Sequence, residues 1–309
     1  NKTLQRTCSD LNEAYTRFFH KTSGMPRFKS RKRSKPSFPI STENFYFKDE
    51  KVLNIEKIGK VKYKTDFEFQ YGKGVCKYSN ARVSYEQASG KWYVSFGKEC
   101  ENQAHELTYI KMGIDLGVKD LAVVEFNGEQ ITFHNINKSK RMRSLKKKLK
   151  YTQRSISRKY EQNRQGNKFV KTKNIEKEEQ KLRKIYKKMD GIRKNYLHQT
   201  THKLVSMLPK TVVMEDLNIS GMMKNRHLSK AIAEQGFYEF IRQMRYKCEW
   251  NGIEFLQVDR FYPSSKTCSV CGNIKKDLKL SDRTYHCECC GTDIDRDYNA
   301  AVNLSRYVA

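Results

Sequence analysis

Four cysteines fall into two matching turns, Cys268-x2-Cys271-Gly272 and Cys287-x2-Cys290-Gly291, with fifteen residues between them. Thiolates are soft ligands, and two such turns supply four of them to one Zn²⁺ in a tetrahedron. The glycine after each second cysteine permits the tight turn that aims main-chain N–H groups at the sulfurs. Four protein ligands leave no open coordination position, so one structural zinc per chain is expected rather than a catalytic one. Cys289 breaks the symmetry, but the spacing and Gly291 select Cys290. The remaining cysteines, Cys8, Cys76, Cys100 and Cys248, are far apart and read as small packing residues. His286 reads as a loop residue of the cysteine-rich segment.

A second chemistry is written in three separated carboxylates. Asp115 lies inside the apolar run Gly113-Ile-Asp-Leu-Gly117, Glu215 ends the run Val212-Val-Met-Glu215, and Asp297 opens the segment Asp297-Tyr-Asn-Ala-Ala301. An ionised carboxylate in an apolar strand is costly unless it is paired or metal-bound. Phosphodiester hydrolysis with two Mg²⁺ ions needs carboxylates from different elements to converge on one point, and Asp115, Glu215 and Asp297 are the candidates for both catalysis and magnesium binding. Each run alone also suits other roles: a strand Asp can be a structural hydrogen-bond acceptor, and Gly-Ile-Asp-Leu-Gly also suits sugar-kinase-like ATPases.

The elements that must position these groups follow from periodicity. Residues 109–126 read as two buried strands joined at Leu116–Asp120, with a third strand near Gln130–His134. Further strands are expected at 211–217 and 253–259, a helix at about 229–250, and a final helix after a cysteine-rich insert at 262–292. From Asp297, steps of 3, 4, 7 and 11 reach Ala300, Ala301, Leu304 and Val308, an apolar face that packs on the sheet, while Asp295 is placed to cap the helix. Leu145, Leu149, Thr152, Ile156 and Tyr160 form one helical stripe, and Leu182, Ile185, Met189, Ile192 and Tyr196 form another, with a break at Gly166-Asn167. Upstream, residues 4–20 read as the end of a helix. Val83 and Tyr85, then Ala88-Ser-Gly90, then Trp92, Val94 and Phe96 read as a β-hairpin within a small antiparallel sheet or barrel.

Charge names the partner. The chain has 309 residues, with 62 Lys and Arg against 34 Asp and Glu, a net charge of +28. Residues 1–36 contribute +8 of this and residues 138–194 contribute +18. Such a concentration repels itself unless a polyanion neutralises it. Candidate phosphate contacts are Lys146, Lys147, Lys148, Lys150, Arg154 and Arg158 on the first basic helix, and Lys29, Arg31 and Lys32 in the basic loop after Pro26. The sequence lacks a run of eighteen apolar residues and its first ten lack a signal-peptide core, so no membrane partner is expected. Nine cysteines, an odd number with five of them between Cys268 and Cys290, fit a metal site in a reducing compartment.

The ordered set Gly113-Ile-Asp-Leu-Gly117, Glu215-Asp-Leu-Asn218, Pro263-Ser-Ser-Lys-Thr-Cys268 with its two cysteine turns, and Arg296-Asp-Tyr-Asn-Ala-Ala-Val-Asn-Leu304 resembles the OrfB/TnpB family of transposon-encoded proteins, relatives of compact type V CRISPR effectors. Phe28-Lys29-Ser30 after Pro26 also fits that family. The resemblance implies an α/β fold: an RNase H-like (RuvC) domain over 109–309, with basic helices at 138–208 and the zinc ribbon inserted at 262–292. It implies a wedge-like β-barrel at 38–108, preceded at 1–37 by the end of a helical recognition lobe and the basic loop. It implies an RNA-guided DNA endonuclease that takes its guide RNA from the transposon end, with target DNA as the second partner, in a prokaryotic cytoplasm and on the nucleoid when bound to DNA. The sequence leaves the oligomeric state open and favours a monomer over an oligomer. Two alternatives stay open: an RNA-guided DNA-binding protein without cleavage, and a strand-transfer transposase. Family members carry a longer N-terminal part, so a chain opening at Asn1 is expected to be a truncated copy or a fragment.

Overall fold

Period-two patterning dominates the first hundred residues and helical patterning much of the rest, and the computed structural model follows that division. It describes residues 2–30, 34–43, 45–99, 105–279 and 282–308. Two compact units form, Asn1–Glu101 and Asn102–Ala309.

In the first unit, helix α1 (Lys2–Phe19) leaves Leu4, Leu11, Tyr15 and Phe19 exposed. Six strands follow: β1 (Ser37–Pro39), β2 (Tyr46–Phe47), β3 (Val52–Ile55), β4 (Gly59–Lys62), β5 (Tyr78–Glu86) and β6 (Lys91–Lys98). They pair as two antiparallel sheets of three strands, β1-β5-β6 and β2-β3-β4. The expected hairpin is β5–β6, with Val83 opposite Val94 and Tyr85 opposite Trp92. Phe47, Leu53 and Ile55 from one sheet meet Tyr78, Ala81 and Val83 from the other in one apolar core. The ring of Phe47 stacks on Phe69 with centroids 4.1 Å apart.

The second unit is built on a five-stranded sheet. The run at 109–134 gives β7 (Lys111–Leu116), β8 (Asp120–Phe126) and β9 (Glu129–His134), an antiparallel meander. After a 3-10 turn at Ile136–Lys138, helix α2 (Lys140–Gln162) begins at Ser139, whose hydroxyl accepts from Met142 N. A small hairpin of β10 (Arg164–Gln165) and β11 (Lys168–Phe169) turns at Gly166, and α3 (Lys173–Val205) runs back. Met142 and Leu145 of α2 meet Ile185 and Met189 of α3 along the apolar seam expected from the two stripes.

Strand β12 (Thr211–Glu215) follows, then α4 (Ile219–Met222), α5 (Ser229–Gln235), α6 (Phe237–Trp250) and β13 (Glu254–Val258). The single helix expected over 229–250 is thus two helices. Gly236 breaks it in the left-handed region at φ 72°, and a Cβ there would lie 3.2 Å from Leu197 Cδ1. The chain closes through β14 (Thr284–His286), β15 (Asp293–Asp295) and α7 (Arg296–Ser305).

The sheet order is β13-β12-β7-β8-β9, with β7, β12 and β13 parallel and β8 antiparallel to both its neighbours. Alternation sorts the two faces. Met112, Ile114, Val212 and Met214 enter the main core with Leu197 and Leu204 of α3 and Phe237, Phe240 and Met244 of α6. Val213 and Val258 turn to the other face and pack on Leu304 of α7. At Gly113 the sheet and α7 touch through backbone: a Cβ there would lie 2.0 Å from Ala301 O and 2.5 Å from Ser305 N. No helix among the described residues is long and apolar enough to cross a membrane.

Candidate functional site

Gly113 and Asp115 sit two residues apart on β7, so Asp115 points to the α7 side of the sheet. Val213 and Glu215 have the same relation on β12. Asp297 arrives on the first turn of α7, whose N-cap is Asp295: its carboxylate accepts from Asp297 N and Tyr298 N, both at 3.0 Å. Ala300, Ala301 and Leu304 are buried, as the spacing required, but so are Asn299, Val302 and Asn303, so α7 is covered on more than its apolar face. Val308 does not join them. It lies beyond the end of α7 and is exposed.

Three carboxylates and one cation therefore meet at the ends of β7, β12 and α7. Asp115 is partly accessible yet densely surrounded. Its pKa is pushed well above the usual carboxylate range, first by burial, then by the charges of Glu215 and Asp297, with Arg296 opposing the rise. Glu215 is also pushed up by burial, and a hydrogen bond from the Ser264 hydroxyl opposes this. Asp297 pairs with Arg296, whose Nη2 lies 3.1 Å from its Oδ1. Like charges gathered in a poorly hydrated place favour binding a proton or a cation. The donors are hard oxygens, which suit Mg²⁺ or Mn²⁺ rather than a soft-ligand metal.

The cysteine cluster is tighter. The Sγ atoms of Cys268, Cys271, Cys287 and Cys290 all lie within 4.8 Å of one another, the one such donor group among the described residues. Cys268 and Cys290 are 3.7 Å apart and Cys271 and Cys287 are 3.4 Å apart. A tetrahedron with 2.3 Å metal–sulfur bonds has edges of about 3.8 Å. The two turns repeat the same bonds: Gly272 N donates to Cys268 O and Gly291 N to Cys287 O, while Cys268 N donates to Asn273 O and Cys287 N to Thr292 O. Gly272 and Gly291 adopt φ of 76° and 71°, which explains their residue type. The hydroxyl and backbone N–H of Thr292 hold the pKa of the Cys290 thiol down at about 6. Cys289 stays exposed outside the cluster, and His286 pairs with Asp293 at 2.8 Å. Cys248 is the packing residue expected, whereas Cys8 is exposed; Cys100 lies outside the described residues.

The basic residues divide. Lys147, Lys150, Arg154 and Arg158 form an exposed stripe on α2 opposite its buried Met142, Leu145 and Thr152, and Lys148 is exposed beside it. Lys146 is turned away: its ammonium lies 2.6 Å from Glu234 of α5, which Arg193 of α3 also holds at 3.2 Å. It ties α2 to α5, an ion pair that the exposed lysines of the stripe do not share. Lys29 is exposed, and Arg31 and Lys32 lie outside the described residues. Sequence reasoning misses Ser264 and Arg296. Arg296 has a signal, being the one cation between two acidic residues at a helix start; Ser264 lies in the Pro263–Cys268 run that carries the resemblance, but nothing in that run points to Glu215.

Comparison with known proteins agrees with these features. A family described as "Probable transposase", OrfB of the IS605 kind, matches residues 83–226, and "Cas12f1-like, TNB domain" matches residues 237–304. A protein of Streptomyces pristinaespiralis assigned as an RNA-guided DNA endonuclease is 31% identical over 97% of this chain and 70% of its own length. InsQ of Escherichia coli, assigned the same activity, is 30% identical over 97% of this chain and 73% of its own length. The CRISPR-associated endodeoxyribonuclease Cas12f1 of Sulfoacidibacillus thermotolerans is 28% identical over 75% of this chain and 54% of its own length. Among solved structures, a cryo-EM Cas12f1–sgRNA–target DNA complex shares the fold with a TM-score of 0.62 at 18% identity, covering 96% of this chain and 69% of that one. The chain belongs to the OrfB/TnpB family of RNA-guided DNA endonucleases.

Proposed function

We propose that this chain is a transposon-associated, RNA-guided endonuclease that cuts DNA phosphodiester bonds by metal-dependent hydrolysis. The observation that carries the reading is the meeting of Asp115, Glu215 and Asp297 from two strands and a helix, close enough for the other two to raise the pKa of Asp115. Two Mg²⁺ ions, when bound to such a set, supply an activated water and a stabilised leaving oxygen. The chain's own part is to hold three oxygen donors in place, with Arg296 offsetting their charge while no cation is present.

The strand order, with an antiparallel meander followed by two parallel strands, supports an RNase H-like (RuvC) assignment for 109–309. The four thiolates fit a structural Zn²⁺ in a ribbon at 262–292. The two small sheets fit a wedge-type β-barrel at 38–108, with 1–37 as the end of a recognition lobe. Guide RNA and target DNA are proposed as partners from the activities assigned to the relatives, and the exposed stripe on α2 is the surface we assign to their phosphates. Such a protein works in the cytoplasm and on the nucleoid. All three carboxylates are in place, which disfavours a binder without cleavage, since a pure binder has no need of them.

The test is a cleavage assay with guide RNA and Mg²⁺, comparing wild type with Asp115→Ala and Glu215→Ala. Both variants are expected to keep guide binding and lose cutting. Loss of RNA binding in both would assign the carboxylates a structural role, and joined rather than cut strands would favour a transposase.

A further inference from the structure

The segment between β13 and the first cysteine turn is held to α7 by side-chain amides. Asn299 and Asn303 lie one turn apart on α7 and both are buried. Asn303 Nδ2 lies 2.7 Å from Ser264 O and 2.7 Å from Thr267 O. Asn299 Nδ2 donates to Thr267 O at 2.7 Å, and its Oδ1 accepts from Ser269 N at 2.9 Å. A buried amide is costly unless its polar atoms are matched, so these bonds fix the loop against the helix. Ser264, 2% exposed, then donates a hydrogen bond from its hydroxyl to Glu215 Oε1.

We infer that Ser264 is a positioning residue for the carboxylate centre, locked by Asn303, so that the helix delivering Asp297 also sets the orientation of Glu215. Ser264 does not touch the reacting atoms. It occupies one carboxylate oxygen of Glu215 and thereby limits how the side chain can turn, with the other oxygen left for a cation. Outer hydrogen bonds of this kind orient a metal ligand and carry part of the site's affinity. Glu215 and Asp297 are then not placed independently: a shift of α7 moves both, one directly and the other through Asn303 and Ser264.

The inference rests on the metal-binding reading of the carboxylates, and the experiment separates the two. Mn²⁺ binding to the full chain with guide RNA is followed by electron paramagnetic resonance, and the Mg²⁺ dependence of cleavage is measured beside it. Wild type is compared with Ser264→Ala, Asn303→Ala, the double variant and Asp115→Ala. Ser264→Ala is expected to weaken Mn²⁺ binding by about 10- to 100-fold and to regain cutting as Mg²⁺ is raised, with guide binding unchanged. Asn303→Ala should move the same way by less, and the double variant should match Ser264→Ala, because both act along one path. Unchanged Mn²⁺ affinity in Ser264→Ala overturns the inference, as do additive effects in the double variant. If Ser264→Ala fails to fold, unchanged affinity in Asn303→Ala overturns it instead. Equal Mn²⁺ binding by wild type and Asp115→Ala would remove the metal-binding reading itself, and this inference with it.

Discussion

Two aspartates two positions apart on one helix start have different work. Asp295 caps α7 through Asp297 N and Tyr298 N, whereas Asp297 directs its own carboxylate to Arg296 and toward Asp115. Asp295→Ala is expected to cost about 1 kcal/mol of stability, the usual worth of an N-cap, and to leave most cutting intact. Asp297→Ala is expected to abolish cutting with little change in melting temperature. Paired melting curves and cleavage assays check this, and the opposite pattern would reverse the assignment. These roles are legible in the sequence because helical geometry fixes which residues share a face. That of Ser264 is not, since its partner Glu215 is 49 positions away in a different element. The partner of Lys146 is hidden for the same reason: a lysine among lysines gives no sign that it pairs with Glu234, 88 positions on.

At the scale of elements, the two basic helices are legible because their apolar stripes persist for many turns. The break at Gly236 is not, because a glycine within a helical pattern can continue the helix as readily as end it, and only the packed chain shows that it turns left-handed here. The hairpin of β5 and β6 is legible from alternation, but the grouping of six short strands into two sheets depends on which faces share a core. The stripe on α2 makes a prediction of its own. Replacing Lys147, Arg154 and Arg158 by Gln should flatten the salt dependence of RNA binding, by about 0.7 to 0.9 in the log–log slope for each phosphate that these side chains neutralise. Lys146→Gln should leave that slope unchanged and lower the melting temperature instead. Binding titrations at several salt concentrations distinguish these outcomes.

For the molecule as a whole, the cysteine cluster belongs to the same structural unit as the carboxylates and is tied to it by Asn299 and Asn303. Elemental analysis of purified protein is expected to find one zinc per chain, and Cys268→Ser or Cys287→Ser to lose it. Because α7 grips the loop leading into the first cysteine turn, those variants should lose cutting as well as metal while the stripe on α2 still binds RNA; retention of full cutting without zinc would show the ribbon to be independent. A consequence also follows for how the protein comes into being. Lys111 at the start of β7 donates to Tyr307 O just after α7, a bond across 196 positions, and the backbone of Gly113 lies directly under Ala301. A ribosome delivers β7, the basic helices and β12 long before it delivers α7. During translation the emerging chain acquires its basic helices first and Asp297 near the end of this stretch. On the proposed function, the nascent protein holds its basic helices before it holds the three carboxylates together, so the ability to cut is the last to arise.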